Sequence, residues 1–288
     1  MQSTEQIAQS TRRNLSKTYI PGETKGQRKA RKSKEKTQKN VEVSQPSLQT
    51  SDSILSNRFV CCLKYGSKYD ASYVNKLYHM VKRNLTLDHQ FVCFTENPEG
   101  LDKDIRVEPL PQLPVQGWWF KPMFFNPKLN IRGTLLFLDL DIIIFRNIDH
   151  LFTFNPGEFC IIRDFNRYII KDYAKFNSSV FRLTSGQHAR VYNNFIKDPK
   201  AIMKRFPGDQ DWIRKEIVKD YTYWPDNWIM SYKWEMRGKP KFNSKPRGSR
   251  DFLIPGDPAI KEDTSIAVFH GDPNPHNCKD PWVIDNWK

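Results

Sequence analysis

Twelve residues constrain this chain more than any others: TLLFLDLDIIIF, residues 134–145. A run this apolar and this rich in isoleucine is a strand buried on both faces, at the centre of a layered sheet. Yet Asp139 and Asp141 sit inside it. In a strand, side chains two residues apart share a face, so the two carboxylates project together while Leu140 points away. Two ionised carboxylates on one apolar face cost on the order of several kcal/mol unless they share a proton, meet basic partners or hold a cation. Carboxylate oxygens suit Mg²⁺ and Mn²⁺, which commonly grip a diphosphate as well. A fully extended strand separates such residues by about 6.6 Å along its axis. One ion therefore takes both carboxylates directly only where the strand bends; otherwise one ligates and the other acts through water or a ribose hydroxyl.

The remaining pattern supplies layers around that strand. RFVCCLK (58–64), QFVCF (90–94), IRVEPL (105–110), EFCIIRD (158–164), SSVFRL (178–183) and IAVFH (266–270) read as strands. Val74, Leu77, Tyr78, Val81 and Leu85 recur at helical spacing, and 186–197 and 209–219 are also helical in pattern. Strands alternating with helices predict an α/β fold with a mostly parallel central sheet, which binds ligands beyond the carboxyl ends of its strands. The aspartate pair lies at such an end.

Composition divides the chain once. Residues 1–57 hold eleven Lys/Arg against five Asp/Glu and a single aromatic, Tyr19, so this stretch buries too little apolar surface to fold and reads as a disordered basic tail. It supplies +6 of the +14 formal charge, leaving +8 on a folded domain expected over 58–288. A polyanionic partner, nucleic acid among them, fits that balance, as does plain solubility. Five cysteines, none in a C-x-x-C pair, predict reduced buried thiols and a cytoplasmic location rather than a zinc site. No apolar signal opens the sequence, and no run approaches the ~18 residues of a spanning helix.

On LLFLDLDIIIF, FNSSVF (176–181), GDQDW (208–212) and FHGDPNPHNCKDPW (269–282), in that order, the chain resembles the GT-A nucleotide-sugar glycosyltransferases, in particular the family-eight group of glycogenin and bacterial galactosyltransferases. The resemblance covers about residues 58–288. It implies a Rossmann-like GT-A fold and transfer of a hexose or pentose from a nucleotide-diphosphate donor, UDP by expectation, to an acceptor hydroxyl with retention. It implies Mn²⁺ (or Mg²⁺) held by Asp139, Asp141 and His270. It places Asn177 on the donor sugar, Gln210 beneath the anomeric carbon, Asp209 gripping the sugar, and Gly271 and Lys279 on the diphosphate. Ser179 stands where the family pattern has glycine, Gly271 follows His270 directly, and Asp280 separates Lys279 from Pro281. CLKYGSKYD occupies the position of the nucleoside site, with Leu63, Lys64 and Tyr69 as candidates and FTEN (94–97) as a neighbouring wall. In GWWFKP, Trp118, Trp119 and Lys121 are candidates to frame the donor, with at least one Trp expected in the core. The run YWPDNWIMSYKW reads equally as acceptor platform or packing. The acceptor is a glycan or lipid-linked saccharide, or a modified base in DNA as used by some bacteriophage enzymes; in that case the site of action is the host cytoplasm.

Two other readings compete. A haloacid-dehalogenase-like phosphatase also ends a strand in D-x-D, with Asp139 as nucleophile and Asp141 as acid/base. About 80 residues of α/β pattern precede the motif here, isoleucines follow it, and HGDPNP is left without a role. A non-catalytic nucleic-acid binder built on the basic tail accounts for the charge but not for the paired aspartates.

Overall fold

The computed structural model describes residues 57–168, 170–237 and 258–288. The basic tail, apart from Asn57, lies outside the described residues. Two sheets carry the fold. The larger has seven strands: β1 (Arg58–Lys64), β2 (Gln90–Thr95), β3 (Arg106–Glu108), β4 (Thr134–Leu138), β6 (Cys160–Arg163), β7 (Phe176–Thr184) and β8 (Thr222–Tyr223). Their spatial order is β3-β2-β1-β4-β7-β6-β8. Pairing is parallel except at β7, which runs antiparallel to both neighbours. The smaller sheet has order β5-β10-β9, from β5 (Ile142–Ile144), β9 (Ile229–Ser231) and β10 (Ile266–Val268).

Alternation along the central strands builds two cores, one on each face. Val60, Cys62, Leu136 and Leu138 meet helix α1 (Ala71–Asn84) through its stripe of Val74, Leu77, Met80 and Val81. Cys61, Leu135 and Phe137 turn the other way, onto Phe120, Phe124 and Phe125 of the 3₁₀ segment Gly117–Phe125. Burial on both faces is why β4 has no polar alternation. Asp70 caps α1, its carboxylate accepting the Ser72 amide at 3.0 Å, while Lys82 and Arg83 meet the negative end of the dipole. All five cysteines are buried and free.

The stretch read as one strand over 134–145 is two. β4 ends at Leu138 in the large sheet, and β5 begins at Ile142 in the small one. The Asp139 amide still donates to Ser179 O on β7, whereas Asp141 O accepts from Phe269 beside β10 (both 2.9 Å). The chain changes sheets between the two aspartates, and that is the bend the strand argument required. The expected helix 186–197 is also shorter. Gly186 (φ +87°) and His188 (φ +52°) hold left-handed backbone, and after the one-turn helix α2 (His150–Thr153) helix α3 spans only Arg190–Phe195. The Asp-Pro signal after it, unread in the sequence, opens α4 (Pro199–Arg205), with Asp198 accepting the Ala201 amide. Helix α5 (Asp209–Glu216) carries the D-Q-D residues in its first turn.

Candidate active site

A cavity of about 780 Å³ opens where β1 and β4 end. Its lining comes from three stretches predicted to act together: the end of β1 and the loop after it (Leu63, Tyr65 to Tyr69), the sheet crossing Asp139 to Asp141, and Gly208 to Asp211 at the start of α5. The 3₁₀ segment adds Trp118, Trp119 and Lys121.

Lys121 organises the floor. Its buried ammonium lies 2.8 and 2.9 Å from the two oxygens of Asp139 and donates to Ser178 O at 3.1 Å. Ser178 Oγ donates in turn to Asp209, at 2.6 Å. Burial alone would depress the lysine, but Asp139, Asp209 and Asp141 together hold its pKa above the ordinary value. Asp209 is itself pushed up, first by burial, with Lys121 and the Ser178 hydroxyl opposing. Removing a buried charge from such an arrangement is expensive because its partners are left uncompensated.

Asp141 is differently placed. Its carboxylate accepts a 2.9 Å bond from Tyr69 Oη, and no basic side chain pairs with it among the described residues. Burial, and next the negative charge of Asp139, raise it to about 7 against the lowering by Tyr69, Lys121 and Lys68. In formal charge the lining holds four carboxylates (Asp139, Asp141, Asp209, Asp211) against two ammonium groups (Lys68, Lys121).

Gln210 lines the same floor, its amide Nε2 donating to the buried Asp164 at 3.0 Å. Asp164, Ser178 and Lys68 were not singled out in the sequence. Ser178 was legible only as part of FNSS, and Asp164 ends a strand that carried no motif. Asn177, the residue predicted to touch the sugar, instead accepts the Ser179 amide with its own Oδ1 at 2.8 Å, and Ser178 and Ser179 line the cavity. Lys64 is buried and donates to Asn97 O at 3.2 Å, so it braces the FTEN wall; Leu63 and Tyr69 do line the cavity.

The three expected metal ligands do not converge. Val268 pairs with Ile142 and Phe269 with Asp141, so the antiparallel register sets Phe269 opposite Asp141 and turns His270 away. The His270 imidazole shares a 2.6 Å bond with Ser231 Oγ and lies between Phe165 (5.4 Å, stacked) and Trp234 (4.6 Å, edge-on). Burial, then Lys233, lowers it to about 3, so it is neutral. Among the described residues no three His, Cys, Asp or Glu side chains form a metal-binding group. The two carboxylates by themselves fit a hard cation, since both are oxygen donors and, among the described residues, no basic side chain pairs with Asp141. Lys279 is exposed, and Gly271 (φ +74°) lies against Lys233, whose Nζ is 3.4 Å from where a Cβ would project. In the Trp-rich run, Trp224 is buried, Trp228 packs on His150 and Phe154, and none reaches the cavity lining.

Solved structures share this architecture. The apo-form glycosyltransferase GlyE of Streptococcus pneumoniae TIGR4 is 12% identical with a TM-score of 0.52, over 80% of this chain and 61% of that one. An active-site mutant of LgtC is 11% identical with a TM-score of 0.51, over 79% of this chain and 93% of that one. The chain thus spans less than two thirds of the GlyE length. No family model and no curated protein matches the sequence. At these identities the likeness defines the fold, which is the GT-A type α/β fold of glycosyltransferases.

Proposed function

We propose that this protein is a nucleotide-sugar glycosyltransferase that moves a hexose or pentose from a UDP-sugar to an acceptor hydroxyl, with retention and with help from a divalent cation. The observation that carries this reading is the cavity itself, where the β1 loop, Asp139, Asp141, Asp209 and Gln210 meet on a GT-A scaffold. Leu63 and Tyr69 would face the nucleoside. Asp139 and Asp141 would hold Mn²⁺ or Mg²⁺, which when bound neutralises the diphosphate as it leaves. The lining's excess of two negative formal charges equals the charge of one such ion.

In this reading Lys121 and Ser178 fix Asp139 and Asp209 before substrate arrives, and Asp209 accepts donor-sugar hydroxyl protons. Gln210, oriented by Asp164, presents a neutral amide below the anomeric carbon. The acceptor oxygen bonds to that carbon as the bond to the diphosphate breaks, and the hydroxyl proton passes to the departing phosphate oxygen. A phosphatase reading is disfavoured because the architecture around the cavity is of the GT-A type. Five buried thiols accord with a cytoplasmic setting. A panel of UDP-, GDP- and ADP-sugars with and without Mn²⁺, read by thermal shift on wild type and Asp141→Ala, tests the proposal. Stabilisation by one donor that needs Mn²⁺ and disappears in the variant is the expected result; equal shifts in both proteins, or none in wild type, would refute it.

A further inference from the structure

Among the described Phe, Tyr and Trp side chains only two are exposed, Tyr65 at 38% and Trp118 at 56%, and both line the cavity. Exposed apolar residues scattered singly need no explanation, but two confined to one cavity do. Local backbone produces the Trp118 exposure. Gly117, at φ +59°, opens the 3₁₀ segment from a left-handed position that other residues rarely adopt, and consecutive tryptophans then diverge. Trp119 goes inward and stacks on Phe195 at 5.9 Å, while Trp118 goes out over the cavity. Across from it is Gly208, where an added Cβ would meet only the indole Nε1, at 3.9 Å. Gly208 precedes α5, so the indole stands beside the turn that carries Asp209, Gln210 and Asp211.

We propose that Trp118, with Tyr65, is the acceptor subsite and takes the apolar face of a neutral pyranose ring, so that the acceptor is a saccharide rather than a nucleic acid. This rests on the glycosyltransferase reading and fixes the acceptor class it leaves open. An indole offers a flat apolar surface to the C–H face of a sugar, and nearby amide and carboxylate oxygens receive its hydroxyls. Gln116, Gln210 and Asp211 are such groups here, Asp211 being also 3.3 Å from Lys175. The same lining opposes a polyanion. Even with one divalent cation offsetting the two excess negative charges, Lys121 is committed to Asp139, so Lys68 is the one ammonium group of the lining left to meet a backbone phosphate.

The test measures retention of wild type, Trp118→Ala, Trp118→Phe and Tyr65→Ala on immobilised neutral hexopyranosides, in the presence of UDP and Mn²⁺. A duplex oligonucleotide containing 5-hydroxymethyluracil and the affinity for UDP alone are measured in parallel. Wild type should hold one class of saccharide, Trp118→Ala should lose about tenfold or more, Trp118→Phe and Tyr65→Ala should lose less, and UDP affinity should change less than twofold in the two Trp118 variants. Unchanged saccharide binding by Trp118→Ala overturns the proposal. So does a matching fall in UDP affinity, which would make the indole a donor wall, or a preference for the oligonucleotide. Failure of wild type to bind UDP would instead remove the glycosyltransferase reading beneath it.

Discussion

Asp139 and Asp141 are two residues apart and belong to two different environments. Asp139 closes the large sheet and is met by a buried ammonium across both of its oxygens. Asp141 opens the small sheet, its carboxylate accepts from a tyrosine hydroxyl, and burial, then its neighbour's charge, hold it near neutral pH. The first half of the site is therefore complete without ligand, and the second half is left with charge to be matched. Such a division lets one scaffold be rigid where it positions a sugar and receptive where it takes a cation.

Breaking the complete half should have the largest effect. Lys121→Met leaves Asp139 and Asp209 buried without their cation, and is expected to lower unfolding free energy by about 3–5 kcal/mol. Adding Asp139→Asn should recover part of that loss in urea denaturation, which a purely steric defect would not. The receptive half is best probed by pH. The Asp141 carboxyl is raised from 3.8 in the unfolded chain to about 7 in the folded one, so the folded state binds the extra proton. Between about pH 4 and 7 its contribution to stability should fall as pH rises, and be absent above 7. Asp141→Asn should flatten that slope, and Mn²⁺ should oppose it most at the alkaline end. A slope identical in wild type and variant would erase the contrast between the two aspartates.

Smaller effects sharpen the comparison. Ser178→Ala removes the donor to buried Asp209 and should cost about 1–3 kcal/mol. His270→Ala loses the Ser231 bond, worth about 1 kcal/mol, and should leave Mn²⁺ affinity within twofold by calorimetry. A tenfold loss of that affinity would mean that the imidazole turns toward the carboxylates when the ion binds. Lys279→Ala, at an exposed side chain, should change stability by less than about 0.5 kcal/mol.

Local patterning made much of this protein readable. The apolar run with two charges could only be a central strand with a functional break, because unmatched carboxylates do not persist on a buried face. The stripe Val74, Leu77, Val81 declared its helix, and D-Q-D was found on the first turn of another. FNSSVF marked a strand that reaches the cavity, which it lines through Ser178 and Ser179 while the Asn177 side chain accepts the Ser179 amide, a choice the local pattern does not carry.

Periodicity and desolvation act within a few residues, so local pattern was enough to fix the layered α/β class and the places where polar groups interrupt it. Which of those groups meet was decided only in three dimensions. Lys121 reaches Asp139 because the 3₁₀ segment packs its Phe124 on Phe137 of β4, and His270 reaches Ser231 because strand register faces it away from Asp141. Such pairings depend on contacts between segments far apart in the chain, and no local pattern encodes them.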